Sequence, residues 1–123
     1  PFLMLNRFFR FCLAASLFVP LAPQEAKAYS VCGTSSWYGA EFEGQRTANG
    51  ERFSSAAMTA AHRHFAFGTR LRVTNRANGR SVIIRVNDSG PYFGGRVLDL
   101  SRGAFSRIAS VDQGIADVCY TVV

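Results

Sequence analysis

The sequence predicts a small, mainly β domain closed into a barrel and carrying one short helix. Three observations predict it. Apolar residues alternate with polar ones in several short segments, turn-forming Gly, Asn and Pro residues separate those segments, and one stretch near the C-terminus has helical spacing. At 123 residues the chain has room for one such core and for no second sizeable one.

The N-terminal part reads as an export signal over residues 1–28. Arg7 and Arg10 supply a positive region, Phe11 to Ala22 a short apolar stretch, and Ala26-Lys27-Ala28 a small-residue cleavage site before Tyr29. The uncharged run from Phe11 to Gln24 contains Pro20 and Pro23 and is shorter than the roughly 20 apolar residues a spanning helix needs. Neither Cys12 nor Cys32 follows the small residues of a lipid-attachment box. The expectation is an exported mature domain, residues 29–123, with no membrane span of its own.

Within that domain, Ser35-Ser36-Trp37-Tyr38 is the first expected strand, ending at Gly39. Ala40 to Ser55 is polar and Gly-containing, a loop long enough to be functional. Thr59 to His62 resumes an extended segment. A hairpin follows, with Leu71 and Val73 on one strand, Val82, Ile84 and Val86 on the next, and Asn78-Gly79 as the turn signal between them. Arg70, Arg72 and Arg85 take alternate positions, as expected of a solvated face. After Gly90-Pro91, Val97 to Leu100 is another short strand. Ser101 is suited to cap a helix over Arg102 to Ala109 that places Ala104, Phe105 and Ile108 on one face. Ile115 to Val123 is the last strand.

Beyond residue 28 there are eleven basic residues, all Arg, against seven acidic ones, a net charge of +4. That balance favours an anionic matrix. The arginines are scattered through strands and turns, with no recognition helix or basic arm, so a nucleic-acid partner is not expected. Cys32 and Cys119 lie near the two ends of the exported domain, and an even pair in such a domain is expected to form a disulfide. Neither has the neighbours of a nucleophilic cysteine.

Three polar residues stand out as candidates for chemistry. Glu51 ends Thr47-Ala48-Asn49-Gly50-Glu51, His62 ends Thr59-Ala60-Ala61-His62, and Asp88 sits in Asn87-Asp88-Ser89-Gly90-Pro91, where a strand turns sharply. Each also has a plain structural reading: a solvated carboxylate, a strand histidine, an Asx-turn residue. Asp99, before Leu100-Ser101, fits either a site or the support of a helix start. Trp37 and Tyr38 fit either sugar stacking or the core of the first strand.

Read together, these stretches carry a resemblance. Ser36-Trp37-Tyr38-Gly39, Thr47 to Glu51, Thr59 to His62, Phe67-Gly68-Thr69, Leu71 to Asn75, Asn78 to Val82, Asn87 to Pro91 and Arg96 to Ser101 occur in the order seen in the RlpA-like (rare lipoprotein A) family. The chain resembles that family over essentially the whole mature domain. The resemblance implies a six-stranded double-psi β-barrel with one or two short helices. It also implies a lytic transglycosylase that cuts peptidoglycan glycan strands, preferentially peptide-poor ones, in the periplasm or the extracellular wall. Asp88, Glu51 and His62 then fall on the functional positions, with Asp88 as acid/base, Glu51 as electrostatic partner and His62 as an orienting group. Asp99 is an additional polar candidate, Trp37 and Tyr38 are candidates for substrate contact, and no cofactor or metal is required.

The chain departs from the family in places. Most relatives carry Arg after the turn aspartate where this sequence has Ser89, so altered or reduced activity is expected if that arginine touches substrate. No peptidoglycan-binding SPOR module follows before Val123. Two other readings compete. One is a non-catalytic wall-binding or loosening module like the expansins, which share the barrel and in which Asp99-Leu100-Ser101 would matter more than Glu51. The other is a metal site using His62 and His64, alternate residues of one strand, with Asp88 or Glu51.

Overall fold

The computed structural model describes residues 30–92 and 94–123. The export signal expected over residues 1–28 lies outside them. The described chain contains β1 (Val31–Tyr38), β2 (Thr59–Ala61), β3 (Arg70–Asn75), β4 (Ser81–Asp88), β5 (Arg96–Ser101), the helix α1 (Arg102–Ser106) and β6 (Ile115–Val122). Single 3-10 turns occur at Ala40–Phe42 and Val111–Gln113.

The strands close into a six-stranded barrel in the order β1-β5-β2-β4-β3-β6. Closure leaves no unpaired sheet edge. Two pairs are parallel, β1 with β5 and β2 with β4, and the rest antiparallel. The alternation read in the sequence sets the inside of the barrel. Leu71 and Val73 of β3, Ile84 and Val86 of β4, Leu98 and Leu100 of β5 and Val118 of β6 are buried, while Arg70, Arg72 and Arg85 on the intervening positions are exposed. Burying each such aliphatic side chain contributes about 1.5–3 kcal/mol before chain entropy is subtracted.

β1 is longer than the four residues expected. It starts at Val31 and pairs with β6 from Val31↔Tyr120 to Ser36↔Ile115. Its Gly, Thr and Ser residues carry little alternation, and partner strands on both sides override that weak propensity. Cys32 and Cys119 stand opposite each other in this ladder and form the disulfide.

The helix is shorter than its spacing suggests. Ser101 caps it as expected, its hydroxyl accepting from the Ala104 N–H at 3.1 Å. Beyond Ser106 the chain winds into turns, and the Ile108 carbonyl accepts from the side-chain amides of Asn75 (2.8 Å) and Asn78 (3.0 Å). Those amides occupy an acceptor that a continuing helix would use internally. Ala104, Phe105 and Ile108 are all buried, so the predicted face is the one that seals the barrel. Gly103 lets the helix approach the segment before β2. A Cβ there would lie 2.8 Å from the Ala56 carbonyl oxygen.

Candidate active site

The site grows from the register of three adjacent strands. Ala61 of β2 is the pairing partner of Asp88 on β4 and of Asp99 on β5. Laterally paired residues share a face of a sheet, so the methyl of Ala61 lies between two carboxylates. With strands spaced about 4.8 Å, the two aspartate backbones are roughly 10 Å apart. All three residues line one cavity of about 190 Å³, together with Tyr38, Phe42, Gln45, Arg46, Thr47, Phe53 and Ser89. That is smaller than the roughly 300–1,000 Å³ that encloses a drug-sized molecule. A cleft of this size fits one part of an extended polymer.

The loop after β1 forms one wall and is fastened to the aspartate strand. Asp88 Oδ1 accepts from the backbone N–H groups of Ala48 (3.0 Å) and Ser89 (2.9 Å). Asp88 Oδ2 lies 3.5 Å from the Tyr38 hydroxyl, the long end of hydrogen-bonding range. The Tyr38 ring stacks on Phe53 at 4.7 Å and meets Phe42 edge-on at 5.7 Å. Burial, and then the charges of Asp88 and Asp99, push the Tyr38 phenol well above its ordinary pKa. It therefore stays protonated and serves as a donor. Asp99 Oδ1 accepts from the Ser36 hydroxyl, and Arg96 lies 3.6 Å from Oδ2.

Glu51 and His62 do not line the cavity. Glu51 forms a two-pronged ion pair with Arg85 of β4, at 2.7 and 2.9 Å. That pairing, helped by Asn49 and Asn87, lowers its carboxyl to about 2. Its backbone closes the turn, with the Thr47 N–H donating to the Glu51 carbonyl at 2.8 Å, while the Asn49 N–H reaches the Asn87 carbonyl at 3.3 Å. Glu51 thus fixes the segment whose Ala48 N–H holds Asp88.

His62 is 7% exposed, and its ring packs against Phe65 and Tyr120. Nδ1 accepts from the N–H groups of His64 (3.0 Å) and Phe65 (3.1 Å), which assigns the ring proton to Nε2, 2.7 Å from the Tyr120 hydroxyl. Burial, then His64 and Arg63, lower its pKa. Its link to the site is through the backbone, where the His62 N–H donates to the Asp88 carbonyl at 3.1 Å. Both ring nitrogens are engaged, and no trio of His, Cys, Asp or Glu among the described residues is arranged to hold a metal ion.

Of the two candidate sugar-contacting aromatics, Tyr38 lines the cleft. Trp37 packs against the core and donates from its indole to the Val111 carbonyl at 3.0 Å. Sequence reading missed Phe42, Gln45, Arg46 and Phe53 as wall residues. The apolar Phe53 in an otherwise polar loop was the available signal, and it is 3% exposed.

A closed mixed barrel with an acidic cleft at the ends of β2 and β4 and along β5 defines a class, and comparison with known proteins names it. Residues 30–120 match the family described as Lytic transglycolase, and the chain belongs to that family. Its barrel is the double-psi β-barrel. It is 55% identical over 91 residues to the probable endolytic peptidoglycan transglycosylase RlpA of Synechocystis sp., covering 74% of this chain and 28% of that protein. It is 49% identical over 94 residues to the endolytic peptidoglycan transglycosylase RlpA of Pseudomonas aeruginosa, covering 76% and 28%. The Neisseria meningitidis protein of the same name is 46% identical over 90 residues, covering 73% and 38%. The chain therefore spans between about a quarter and two fifths of the length of these relatives. Among solved structures it is similar in fold to a Streptomyces papain inhibitor, with a TM-score of 0.64 at 21% identity, covering 77% of this chain and 94% of that one. It is also similar to an expansin of Clavibacter michiganensis, with a TM-score of 0.63 at 25% identity, covering 77% and 50%.

Proposed function

We propose that the domain is an exported endolytic transglycosylase that cuts the β-1,4 bond between N-acetylmuramic acid and N-acetylglucosamine in peptidoglycan. The single observation that carries this reading is the placement of Asp88 and Asp99 in one cleft on either side of Ala61, with the Tyr38 hydroxyl beside Asp88. The curated relatives named as endolytic peptidoglycan transglycosylases support it. The disulfide between residues 87 positions apart supports export to an oxidising compartment, the periplasm or the wall.

The chemistry assigned is acid-then-base catalysis by one carboxyl. Asp88 Oδ1 is occupied by two backbone N–H donors, so Oδ2 is the oxygen given the travelling proton. Asp88 passes that proton to the glycosidic oxygen as the bond to C1 breaks, releasing the N-acetylglucosamine end as an alcohol. The resulting carboxylate takes the proton of the muramoyl 6-hydroxyl as that oxygen bonds to C1. The product is a 1,6-anhydro ring, and no water is consumed. Asp99 stabilises positive charge developing at C1. Glu51 and His62 act as positioning residues, Glu51 through the 47–51 turn and His62 through its backbone bond to Asp88.

A second reading, a non-catalytic wall-binding module, is supported by Ser89 and by the likeness to an expansin. Incubating the purified protein with peptide-free glycan strands separates the two. Anhydro-muramic ends seen by mass spectrometry support catalysis, whereas strand binding without such ends supports the module.

A further inference from the structure

We infer that Arg46, with Arg52 beside it, reads a carboxylate on the glycan: the free lactyl group that a muramoyl residue exposes when it carries no stem peptide. This inference rests on the peptidoglycan reading above and adds a specificity determinant to the same cleft.

The cavity floor carries two carboxylates, and Arg46 is the one basic residue among its lining residues. A muramoyl unit without a peptide is itself an anion, and the second carboxylate of the cleft, Asp99, repels it. A cation at the wall offsets that repulsion and selects the charged form. N-acetylglucosamine has no such group, and attachment of a peptide converts the acid into a neutral amide.

Arg46 is held for this role. One of its terminal nitrogens donates to the Gly50 carbonyl at 2.7 Å, which leaves the other guanidinium donors for a ligand. Its backbone forms an isolated bridge with Arg52, so two cations stand directly opposite each other. Like charges in that arrangement repel. Arg52 bonds only to the Gly44 carbonyl, and among the described residues neither arginine has a carboxylate partner. Two acids near in sequence are otherwise engaged: Glu43 accepts from the Ser55 N–H and Glu51 holds Arg85. Register is set by the same turn that holds Asp88, since Ala48 is two residues from Arg46. An anion seated on Arg46 thus has a fixed relation to the reacting carboxyl.

The test compares wild type and Arg46→Gln on three substrates: peptide-free strands, the same strands with the lactyl acids amidated by carbodiimide and ammonia, and peptide-bearing strands. Circular dichroism confirms folding of each variant. Wild type is expected to prefer the free-acid strands. Arg46→Gln is expected to lower kcat/KM on them by roughly fivefold to tenfold more than on the amidated strands, the range for a partly exposed charge-assisted pair. Arg46→Lys keeps the charge without the fork and should fall between. Equal loss on acid and amidated strands, no loss on either, or a loss largest on peptide-bearing strands, whose carboxylates lie on the peptide, overturns the proposal. Affinity of Asp88→Asn protein for acid and amidated strands, with and without Arg46→Gln, reads the same coupling without turnover. If wild type cuts nothing, the catalytic reading fails while this binding comparison still decides the role of Arg46.

Discussion

Asp88 and Asp99 face one cleft from strands that do not pair with each other, with Ala61 as their common partner on the strand between them. The two carboxylates differ in their surroundings. Asp88 is held by backbone N–H groups and faces the Tyr38 phenol, whereas Asp99 is held by the Ser36 hydroxyl with Arg96 nearby. A shared cleft with unlike support suits two roles, proton transfer and charge stabilisation.

Glu51→Gln should act through the loop and not through the chemistry. Arg85 holds the Glu51 carboxyl at about 2, below its unfolded value. A depressed carboxyl stabilises the fold above its unfolded pKa, and that contribution is lost as pH falls from about 4.3 toward 2. Both side chains are partly exposed, at 44% and 32%, so the pair contributes under about 1 kcal/mol. Melting curves between pH 6 and pH 2 should show a steeper acid loss in wild type than in Glu51→Gln. On glycan strands the variant should lose activity partially, roughly tenfold, about 1.4 kcal/mol of misplacement. Parallel melting profiles would remove the ion pair from the picture.

His62 should make stability pH-dependent in a different window. Its ring is buried neutral, and its pKa is lowered. The unfolded chain therefore binds the proton first, and stability present above about pH 6.5 is lost as pH falls below it. Protonation also converts Nδ1 from acceptor to donor, setting it against the His64 and Phe65 N–H groups. His62→Gln should be less stable at pH 7.5 by about 1–3 kcal/mol and should flatten the change between pH 7 and pH 5. A wild-type melting temperature that is constant across that interval would contradict this assignment.

Reduction of Cys32–Cys119 removes a staple between β1 and β6. In the chain-entropy model a loop of this length contributes roughly 4 kcal/mol. Denaturant unfolding with and without reductant should show a lower midpoint for the reduced protein. An unchanged midpoint, with free thiols confirmed, would count against any stabilising role.

The strands were legible where burial imposes alternation, as in Leu71, Val73, Ile84 and Val86, and the helix start was legible in Ser101 and its apolar face. The site was legible mainly through the resemblance, because its bonds are non-local. Ala48 reaches Asp88 across 40 positions, and Glu51 reaches Arg85 across 34. No periodicity encodes either contact. Arg85 is exposed, as an alternate strand position should be, yet it anchors the loop that walls the cleft. The cleft wall was hidden for a similar reason, since Phe53 and Arg46 sit in a segment whose composition reads only as loop.

The most direct measurement is mass spectrometry of peptide-free glycan strands after incubation with wild type and with Asp88→Asn at equal concentration. Wild type should release fragments ending in 1,6-anhydro-muramic acid. Asp88→Asn, folded by circular dichroism, should be slower by about 10²–10⁴-fold, the usual contribution of a positioned acid/base. Anhydro ends formed at the wild-type rate by Asp88→Asn, or no anhydro ends from wild type at high enzyme concentration, would contradict the assignment of Asp88 as the proton carrier of a lytic transglycosylase.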